Sequence, residues 1–321
     1  MKRLCALVTI CLFLMAAAGT AFAMDITITA GGTSGSWFIS GSAFQDAFSQ
    51  KIKGSQFSVV PGGGTANPIR VDSGDAQVGF TYATNAKAAA AGKAPYKKKA
   101  ANIRALLNLQ ILQYLMVTAK KGLEVNSFKQ WFKDKAELKV LPGPRSMGGW
   151  MTLQRVFEEY GTSKDKIKKW GSNFIHAGWS ESAQQLLDGH ADIIAPQAPL
   201  KWPVMVDLAN SRNLKWFDID QKIRMALKGK YGYVVADMPG GTYKGQNAPL
   251  KTMADSVVLL VNKDVSDDMA YQMAKIICEN KDRWVATHAM FKPFNPKKAC
   301  EVSIPLHPGA AKYFKEKGYI K

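Results

Sequence analysis

The feature of this 321-residue chain that most constrains its fold is a pattern that occurs twice. Residues 73–80, Ser-Gly-Asp-Ala-Gln-Val-Gly-Phe, recur in type as residues 188–195, Asp-Gly-His-Ala-Asp-Ile-Ile-Ala. Each copy follows an amphipathic helical stretch, residues 66–71 and 181–187, and each ends in an apolar run typical of a buried strand. A helix, a tight glycine turn and a strand form half of a parallel-sheet unit, so the two copies predict two similar α/β lobes.

The connection between the lobes is predicted from two long apolar stretches, residues 103–119 and 253–261. Both are typical of extended strands, and a chain that crosses to the second lobe and later returns forms a two-strand hinge. We therefore predict a first lobe of residues 24–115 plus 255–321 and a second lobe of residues 116–254. A cleft between two hinged lobes is a common place for a ligand.

Two glycine-rich loops, residues 31–37 and 62–67, lie where such a ligand would bind. Each follows a short β-branched run and leads into a helix-like segment. Glycines let backbone N–H groups approach a ligand closely, and helices that begin just after such loops offer unpaired donors to an anion. In the second copy of the repeated pattern, the corresponding loop contains Gln197.

A third loop, residues 142–150, follows the strand candidate 139–141 in the second lobe. Ser146 is a candidate helix cap and Arg145 a candidate bidentate partner for a carboxylate, although an arginine of a basic protein is often a plain surface residue. Gly149-Trp150 stands where a phosphate-binding loop needs Lys-Ser/Thr, so the sequence does not support nucleotide hydrolysis. Asn67 likewise replaces the third glycine of a dinucleotide fingerprint.

The amino terminus has the pattern of an export signal. Lys2 and Arg3 precede an apolar stretch, residues 4–18, and Ala21-Phe22-Ala23 is the small-x-small pattern of a cleavage site. We predict a signal peptide of residues 1–23. Because no other run is long enough to span a membrane, we expect a soluble, monomeric protein of the periplasm.

Of the four cysteines, Cys5 and Cys11 leave with the predicted signal peptide. An oxidising compartment makes a disulfide between Cys278 and Cys300 plausible, and two buried thiols are the alternative. Neither these cysteines nor the four histidines have the spacing of metal ligands, so we expect no metal and no cofactor.

The formal net charge of +18 favours an anionic partner, because a field of that sign concentrates anions around the protein. A solvated basic surface is the alternative, particularly for the lysine run 97–99. The basic residues are scattered and form no recognition motif, so nucleic acid is not an expected partner.

The ordered set of motifs resembles the TAXI family, the extracytoplasmic solute-binding proteins of tripartite ATP-independent periplasmic (TRAP) transporters. The motifs that carry the resemblance are Gly31-Gly32-Thr33-Ser34-Gly35, Gly62-Gly63-Gly64-Thr65 with Asn67, Gly74-Asp75-Ala76-Gln77-Val78-Gly79-Phe80, Gly240-Gly241-Thr242-Tyr243 and Pro305-Leu306-His307-Pro308-Gly309-Ala310. The match covers essentially the whole chain after residue 23, and the last motif is the most specific.

The resemblance implies a type II periplasmic binding protein fold, capture of a solute between the lobes, and delivery to TRAP permease subunits driven by an ion gradient. The ligands it implies are small carboxylates or amino acids such as glutamate and 2-oxoglutarate. The ligand-binding residues it implies are Thr33, Ser34, Trp37, Gly64, Thr65, Asn67, Tyr82, Arg145, Ser146, Gly148 and Gln197. Trp37 and Tyr82 also fit plain packing residues, and Ser34 and Thr65 also fit helix caps.

This chain departs from the family pattern at three places. Trp37-Phe38 replaces a tyrosine-containing pair, residues 145–148 are bulkier and more basic than the usual small loop, and Gln197-Ala198 replaces a pair of smaller residues. The solute is therefore expected to differ from that of glutamate-binding relatives.

An enzyme that acts on a small carboxylated metabolite is the alternative function. The sequence offers no nucleophile in a Gly-x-Ser-x-Gly elbow and no metal-binding histidine pair, so we expect binding without catalysis.

Overall fold

The structure of the chain, a computed structural model, describes residues 25–33 and 35–321. The predicted signal peptide and Ser34, one of the predicted ligand residues, lie outside the described residues. The strands are β1 (Asp25–Thr29), β2 (Gln56–Val60), β3 (Val78–Tyr82), β4 (Ile103–Leu115), β5 (Thr118–Lys120), β6 (Lys139–Leu141), β7 (Asn173–Phe174), β8 (Ile193–Ile194), β9 (Gln197–Ala198), β10 (Leu214–Trp216), β11 (Val234–Met238) and β12 (Leu250–Asn262).

The helices cover both sheets that these strands form. They are α1 (Ser36–Lys51), α2 (Asn67–Ser73), α3 (Ala83–Ala91), α4 (Phe128–Asp134), α5 (Gly148–Glu159), α6 (Lys164–Lys169), α7 (Trp179–Leu187), α8 (Pro203–Ser211), α9 (Gln221–Tyr231), α10 (Asp267–Glu279), α11 (Lys281–Thr287) and α12 (Pro308–Glu316). Two short 3₁₀ turns, Ala289–Phe291 and Pro296–Lys298, precede the last helix.

The first sheet has the order β2-β1-β3-β12-β4-β9, and β11 also pairs with β12. Its first three strands are parallel, whereas β12 is antiparallel to both β3 and β4. The second sheet has the order β10-β5-β8-β6-β7, with β6, β7 and β8 parallel. Parallel strands followed by helices on both faces are the arrangement that the repeated helix-turn-strand pattern predicts, and the two-lobe α/β fold class is confirmed.

The repeated pattern itself has the same form in both lobes. Helix α2 ends at Gly74 with a φ of 84° and leads into β3, and helix α7 is followed by Gly189 with a φ of 80° and leads into β8. Only glycine adopts this left-handed conformation without strain, which is why both copies contain it.

The two crossing stretches form the long antiparallel pair β4 and β12. Their pairing is interrupted by a register shift between Ser256 and Val258. The far ends of these strands also pair with β9 and β11, which the predicted division assigns to the second lobe. The exact boundaries at residues 115/116 and 254/255 stay a proposal.

Alternation along the strands fills a separate core on each face of each sheet. In the second sheet, Val140 and Ile193 pack in one apolar cluster with Phe157, whereas their neighbours Leu141 and Ile194 pack in another. In the first sheet, Leu259 packs on the side of α1 and Leu260 on the side of α2 and α3. Both sheets are thus buried on two sides, as parallel sheets usually are.

The carboxyl-terminal motif, residues 305–310, fastens the tail to the first sheet. His307 is 1% exposed, and its backbone N–H donates to Ala105 O at 2.9 Å. Its Nδ1 accepts the Gly309 N–H at 3.2 Å at the start of α12. This motif is therefore structural in the described fold.

The two remaining cysteines are free thiols in the structure, so the predicted disulfide is not formed there. Cys278 is buried in the first-lobe core, and burial raises the pKa of its thiol to about 12. The Cys300 thiol instead donates to the carbonyls of Lys297 and Tyr319, at 3.5 and 3.7 Å. The alternative of two thiols thus describes this structure, because each sulfur has partners of its own.

Candidate functional site

A small cavity of about 70 Å³ lies between the two lobes. Its walls come from the loop before α1, the end of β3, the crossing strand β4, the loop before α5 and the segment around β9. The lining residues are Gly31, Gly32, Gly35, Ser36, Trp37, Gly64, Tyr82, Gln113, Met147, Gly148, Trp179, Gln197, Ala198, Pro199 and Trp202.

Two helix amino termini border the cavity from opposite lobes. Ser36 and Trp37 lie in the first turn of α1, and Gly148 and Gly149 lie in the first turn of α5. Backbone N–H groups of a first turn have no carbonyl partner within the helix, and the helix dipole favours a negative charge there. In the described part of the chain no side chain caps either helix, so these N–H groups can donate to a ligand.

Two buried side-chain amides form the floor of the cavity. Gln197 is fixed in place, because its Oε1 accepts the Thr152 hydroxyl at 2.7 Å and its Nε2 donates to Gln113 O at 3.2 Å. The Gln113 side chain is 2% exposed, and its Nε2 has no hydrogen-bond partner among the described residues. A buried donor without a partner costs about 1–3 kcal/mol, so this amide indicates where a ligand oxygen would bind.

Aromatic rings supply most of the remaining surface. The ring centroids of Trp37 and Tyr82 are 4.9 Å apart, and those of Trp179 and Trp202 are 5.6 Å apart. The Tyr82 hydroxyl donates to Gln197 O at 3.4 Å, and burial raises the pKa of this phenol, so it stays protonated. No Asp, Glu, Lys, Arg or His is among the described lining residues, and recognition here depends on neutral dipoles and ring surfaces.

The two lobes are in contact across the cavity, and we call this arrangement the closed form. The Thr65 N–H donates to Ser146 O at 3.1 Å. A Cβ placed on Gly63 would lie 2.5 Å from Ser146 O, and one placed on Gly148 would lie 2.2 Å from the Tyr82 ring. Glycine is therefore required at both positions for the lobes to approach this closely.

A second polar cluster joins the lobes next to the cavity. Arg155 of α5 is 5% exposed and donates to the Tyr233 hydroxyl at 2.8 Å and, at 3.5 Å, to Thr84 Oγ1 of the first lobe. Thr84 in turn donates to Asp255 Oδ2 at 2.6 Å. Burial raises the pKa of Asp255 to about 7, and the hydrogen bonds from Thr84 and the charge of Arg155 only partly offset this effect.

Five of the predicted ligand residues line the cavity. They are Trp37, Gly64, Tyr82, Gly148 and Gln197. Thr33, Thr65, Asn67, Arg145 and Ser146 are not among the lining residues.

The structure gives Asn67 a different role from the predicted one. Its side chain is fully buried, and its Oδ1 accepts the Thr29 hydroxyl and the Gly63 N–H, both at 2.9 Å. Its Nδ2 donates to the carbonyls of Thr29, Ala30 and Phe80. Asn67 therefore holds the two glycine loops together, and no hydrogen-bonding atom of its side chain is left for a ligand.

Arg145 and Ser146 do not line the cavity in this structure, and their predicted role as ligand residues stays a prediction. Both side chains are exposed, because the Met147 N–H donates to Pro144 O at 3.1 Å and closes a turn with Arg145 and Ser146 at its tip. Thr33 is exposed as well. The residue that this loop directs into the cavity is Met147.

Ten of the lining residues were not among the predicted ligand residues, and they include Gln113, Trp179 and Trp202. One available signal was the polar residue Gln113 within the otherwise apolar stretch 103–119. Trp179 and Trp202 stand at the starts of α7 and α8, positions where side chains often project beyond the end of a sheet.

No cluster of His, Cys, Asp and Glu able to hold a metal ion occurs among residues 25–33 and 35–321. A search of the same residues finds no helix whose length and apolar character would let it span a membrane.

Several solved structures are similar to this chain over most of its length. MatC from Rhodopseudomonas palustris with bound malate has a TM-score of 0.55 and 11% identity, over 93% of this chain and 99% of that one. Rpa4515 of R. palustris with adipate has a TM-score of 0.53 and 9% identity, over 93% and 97% of the two chains. XAC2383 from Xanthomonas citri bound to ATP has a TM-score of 0.52 and 9% identity, over 91% and 94%. At these identities the likeness shows the fold alone.

A comparison with protein-family models gives a match that covers almost the whole chain. The model described as the NMT1-like family matches residues 28–318, a range that includes both lobes and every lining residue of the cavity.

Proposed function

The chain belongs to the NMT1-like family, and from that premise we propose that it is a periplasmic solute-binding protein. It closes its two lobes around a small organic anion and delivers this solute to a membrane permease. The observation that carries the proposal is the buried Gln113 Nε2, which has no hydrogen-bond partner among the described residues. It lines a cavity that is bordered by two helix amino termini and whose described lining contains no charged side chain.

The proposed mechanism uses differential affinity for the closed form. In the open form, the amides at the start of α1 capture the carboxylate. Closure adds the first turn of α5, Gln197 and the Trp179 ring from the second lobe, and Gln113 donates from the crossing strand. Because these contacts exist together only when the lobes meet, the solute shifts the population toward the closed form.

The proposed ligand class is a compact carboxylate or amino acid. Fixed N–H dipoles in a site of low dielectric stabilise one carboxylate without a cation, and the apolar rings accommodate the rest of the molecule. The net charge of +18 raises the local concentration of anions outside the cavity. The malate and adipate of the similar solved structures support an organic acid, and glutamate and 2-oxoglutarate are further candidates to test.

We also propose that the chain is of the TAXI type and that its permease is a TRAP permease. The support is the ordered set of motifs along the sequence, together with the predicted signal peptide, residues 1–23. Lobe closure without covalent chemistry fits this role, because the described lining contains no His, Cys, Asp, Glu or Lys that could serve as a catalytic base.

Mass spectrometry of the molecules released by denaturing the native, purified protein tests the proposal. We expect one organic acid, and the same acid should bind the stripped protein in a one-to-one ratio by calorimetry. At a hundred times its dissociation constant it should stabilise the protein by about 2.7 kcal/mol. Release of a cationic or uncharged molecule would contradict the anion proposal, and turnover of the bound acid would favour the enzyme alternative.

A further inference from the structure

A second and larger cavity lies behind the crossing strands. We call it the rear groove, and it has a volume of about 670 Å³. Its lining residues belong to segments 110–114, 199–201, 239–242 and 288–293. Volumes of roughly 300–1,000 Å³ are usual for small-molecule sites.

Strand β4 lies between the rear groove and the small cavity, and Pro199 lines both. Gln113 faces the small cavity, whereas its neighbours Leu112 and Tyr114 face the rear groove, as alternation along a strand requires. Both lobes contribute to the rear groove, since segments 199–201 and 239–242 fall in the proposed second lobe and the other two segments in the first. The rear groove and the small cavity therefore lie on opposite sides of the hinge.

The chemistry of the rear groove combines apolar surface with positive charge. Leu112, Tyr114, Leu200 and Met290 provide apolar surface, and Lys201 and Lys292 stand exposed at its edges. Among the described residues that line it there is no Asp or Glu. An occupant with an apolar body and one negative group matches this pattern.

The backbone around the rear groove is held in unusual conformations. Gln110 and Lys201 are non-glycine residues with φ values of 56° and 57°. Gln110 is held by exchanging two hydrogen bonds with the backbone of Asn295, at 2.9 and 3.2 Å. Non-glycine residues in this left-handed region are strained, and such residues concentrate at functional sites.

The motif Gly240-Gly241-Thr242 also belongs to the rear groove and not to the small cavity. Its turn is fixed by Gln246, a residue that is 3% exposed. The backbone carbonyl of Gln246 accepts the Gly241 N–H at 2.6 Å, and its side-chain Oε1 accepts the Thr242 N–H at 3.1 Å. A motif that the small cavity does not use is thus built rigidly into the wall of the rear groove.

We propose that the rear groove is a second ligand site, for a small amphipathic organic anion, and that its occupant stabilises the closed form. The width of the rear groove in the structure is its width when the two lobes are in contact. When the lobes rotate apart at the cleft, the opposite side of the hinge narrows, so an occupant that fits the described shape prefers the closed form.

Octanoate is the probe for the test, with calorimetry on the purified protein. We expect saturable binding of one octanoate per chain, and 1-octanol should bind more weakly. The double variant Lys201→Glu with Lys292→Glu should weaken octanoate binding at least about tenfold, because it replaces both ammonium groups by carboxylates. Lys97→Glu with Lys98→Glu makes the same change of charge at two exposed lysines elsewhere and should leave the affinity unchanged. Equal loss in both double variants, or binding that does not saturate, would overturn the proposal.

Gln113→Leu distinguishes this site from the small cavity. It should leave octanoate binding unchanged even if it abolishes binding of the co-purified acid, so the two proposals can fail separately. If Gln113→Leu removes octanoate binding while the Lys201/Lys292 variant retains it, octanoate occupies the small cavity and the rear-groove proposal is wrong.

Small-angle scattering tests the link to closure. Octanoate should reduce the radius of gyration of the acid-free protein, and it should not do so in the Lys201/Lys292 double variant. Saturation with octanoate without any compaction would overturn the proposed preference for the closed form.

Discussion

The Gln113 side chain gives the most direct indication of the group that the ligand presents to the cavity. Its backbone carbonyl is used by Gln197, and its Nε2 is left without a protein partner among the described residues, in a cavity that also contains helix amino termini. A carboxylate or carbonyl oxygen of the solute would satisfy it.

We expect Gln113→Leu to weaken binding of the co-purified acid by about 1–3 kcal/mol, because a hydrogen bond to a charged group is lost without a large change in volume. Calorimetry measures this loss directly. The control is Gln221→Leu at the exposed start of α9, which should bind as the unaltered protein does. Unchanged affinity of Gln113→Leu would remove this amide from the site.

Asp255 gives the protein a specific dependence of stability on pH. Its pKa is raised from 3.8 to about 7 in the folded protein by burial. Between these values the folded protein holds a proton that the unfolded chain releases, so this group favours folding at low pH and its contribution is lost as pH rises toward 7.

The unfolding free energy of the unaltered protein should therefore fall by up to about 1.4 kcal/mol per pH unit between about pH 4 and pH 7. The unfolding free energy of Asp255→Asn should not show this fall. Urea unfolding at several pH values measures the slope for the variant and the unaltered protein. The exposed carboxylate variant Asp46→Asn should retain the slope. Parallel curves for Asp255→Asn and the unaltered protein would show that this carboxyl has an ordinary pKa.

At the scale of elements, the two glycine loops depend on Asn67. One side-chain amide at the start of α2 bonds to β1, to the loop at Gly63 and to β3. The loops thereby acquire a fixed geometry although each is short and rich in glycine.

Asn67→Ala should destabilise the protein by at least about 3 kcal/mol, because several buried backbone groups lose their side-chain partner. Thermal and urea unfolding give this value. Asn210→Ala, at an exposed position of α8, is the matched control and should be nearly neutral. A loss of ligand affinity in Asn67→Ala without a loss of stability would instead favour the direct ligand contact that the TAXI resemblance implies.

At the scale of the whole molecule, the proposed function requires the lobes to move. The contacts of Gly63 with Ser146 and of Gly148 with Tyr82 exist only in the closed form, and the cluster of Arg155, Thr84 and Asp255 adds to them.

Gly148→Ala should keep the lobes from closing, because the added methyl group would lie 2.2 Å from the Tyr82 ring. The co-purified acid should then bind at least about tenfold more weakly, since the competent closed form is less populated. Small-angle scattering should show compaction by the acid in the unaltered protein and not in the variant. The control is Gly229→Ala, where an added methyl group meets no atom within 4 Å, and the acid should compact this variant as it does the unaltered protein. Full compaction of Gly148→Ala by the acid would contradict the proposed closure.

Sequence patterns alone predicted the two α/β lobes, the repeated helix-turn-strand unit and the glycine-rich loops. Strands, glycine turns and helix starts leave local patterns, because they depend on backbone conformation and on the periodic burial of side chains a few residues apart. The TAXI resemblance, and not a local pattern, implied Trp37, Gly64, Tyr82, Gly148 and Gln197 as ligand residues, and these five line the cavity.

The side chains that meet in the cavity, and those that point away from it, become known only from the three-dimensional fold. Gln113, Trp179 and Trp202 come from separate segments that are brought together by the crossing of β4 and the contact between the lobes. A hydrogen bond that closes a turn leaves Arg145 exposed. Buried hydrogen bonds direct the Asn67 side chain to the backbone and not to the cavity. The meeting of the cavity residues and the bonds of Asn67 depend on distances between remote parts of the chain, which no local pattern encodes. The turn at Arg145 is local, but its position relative to the cavity also depends on how the lobes meet.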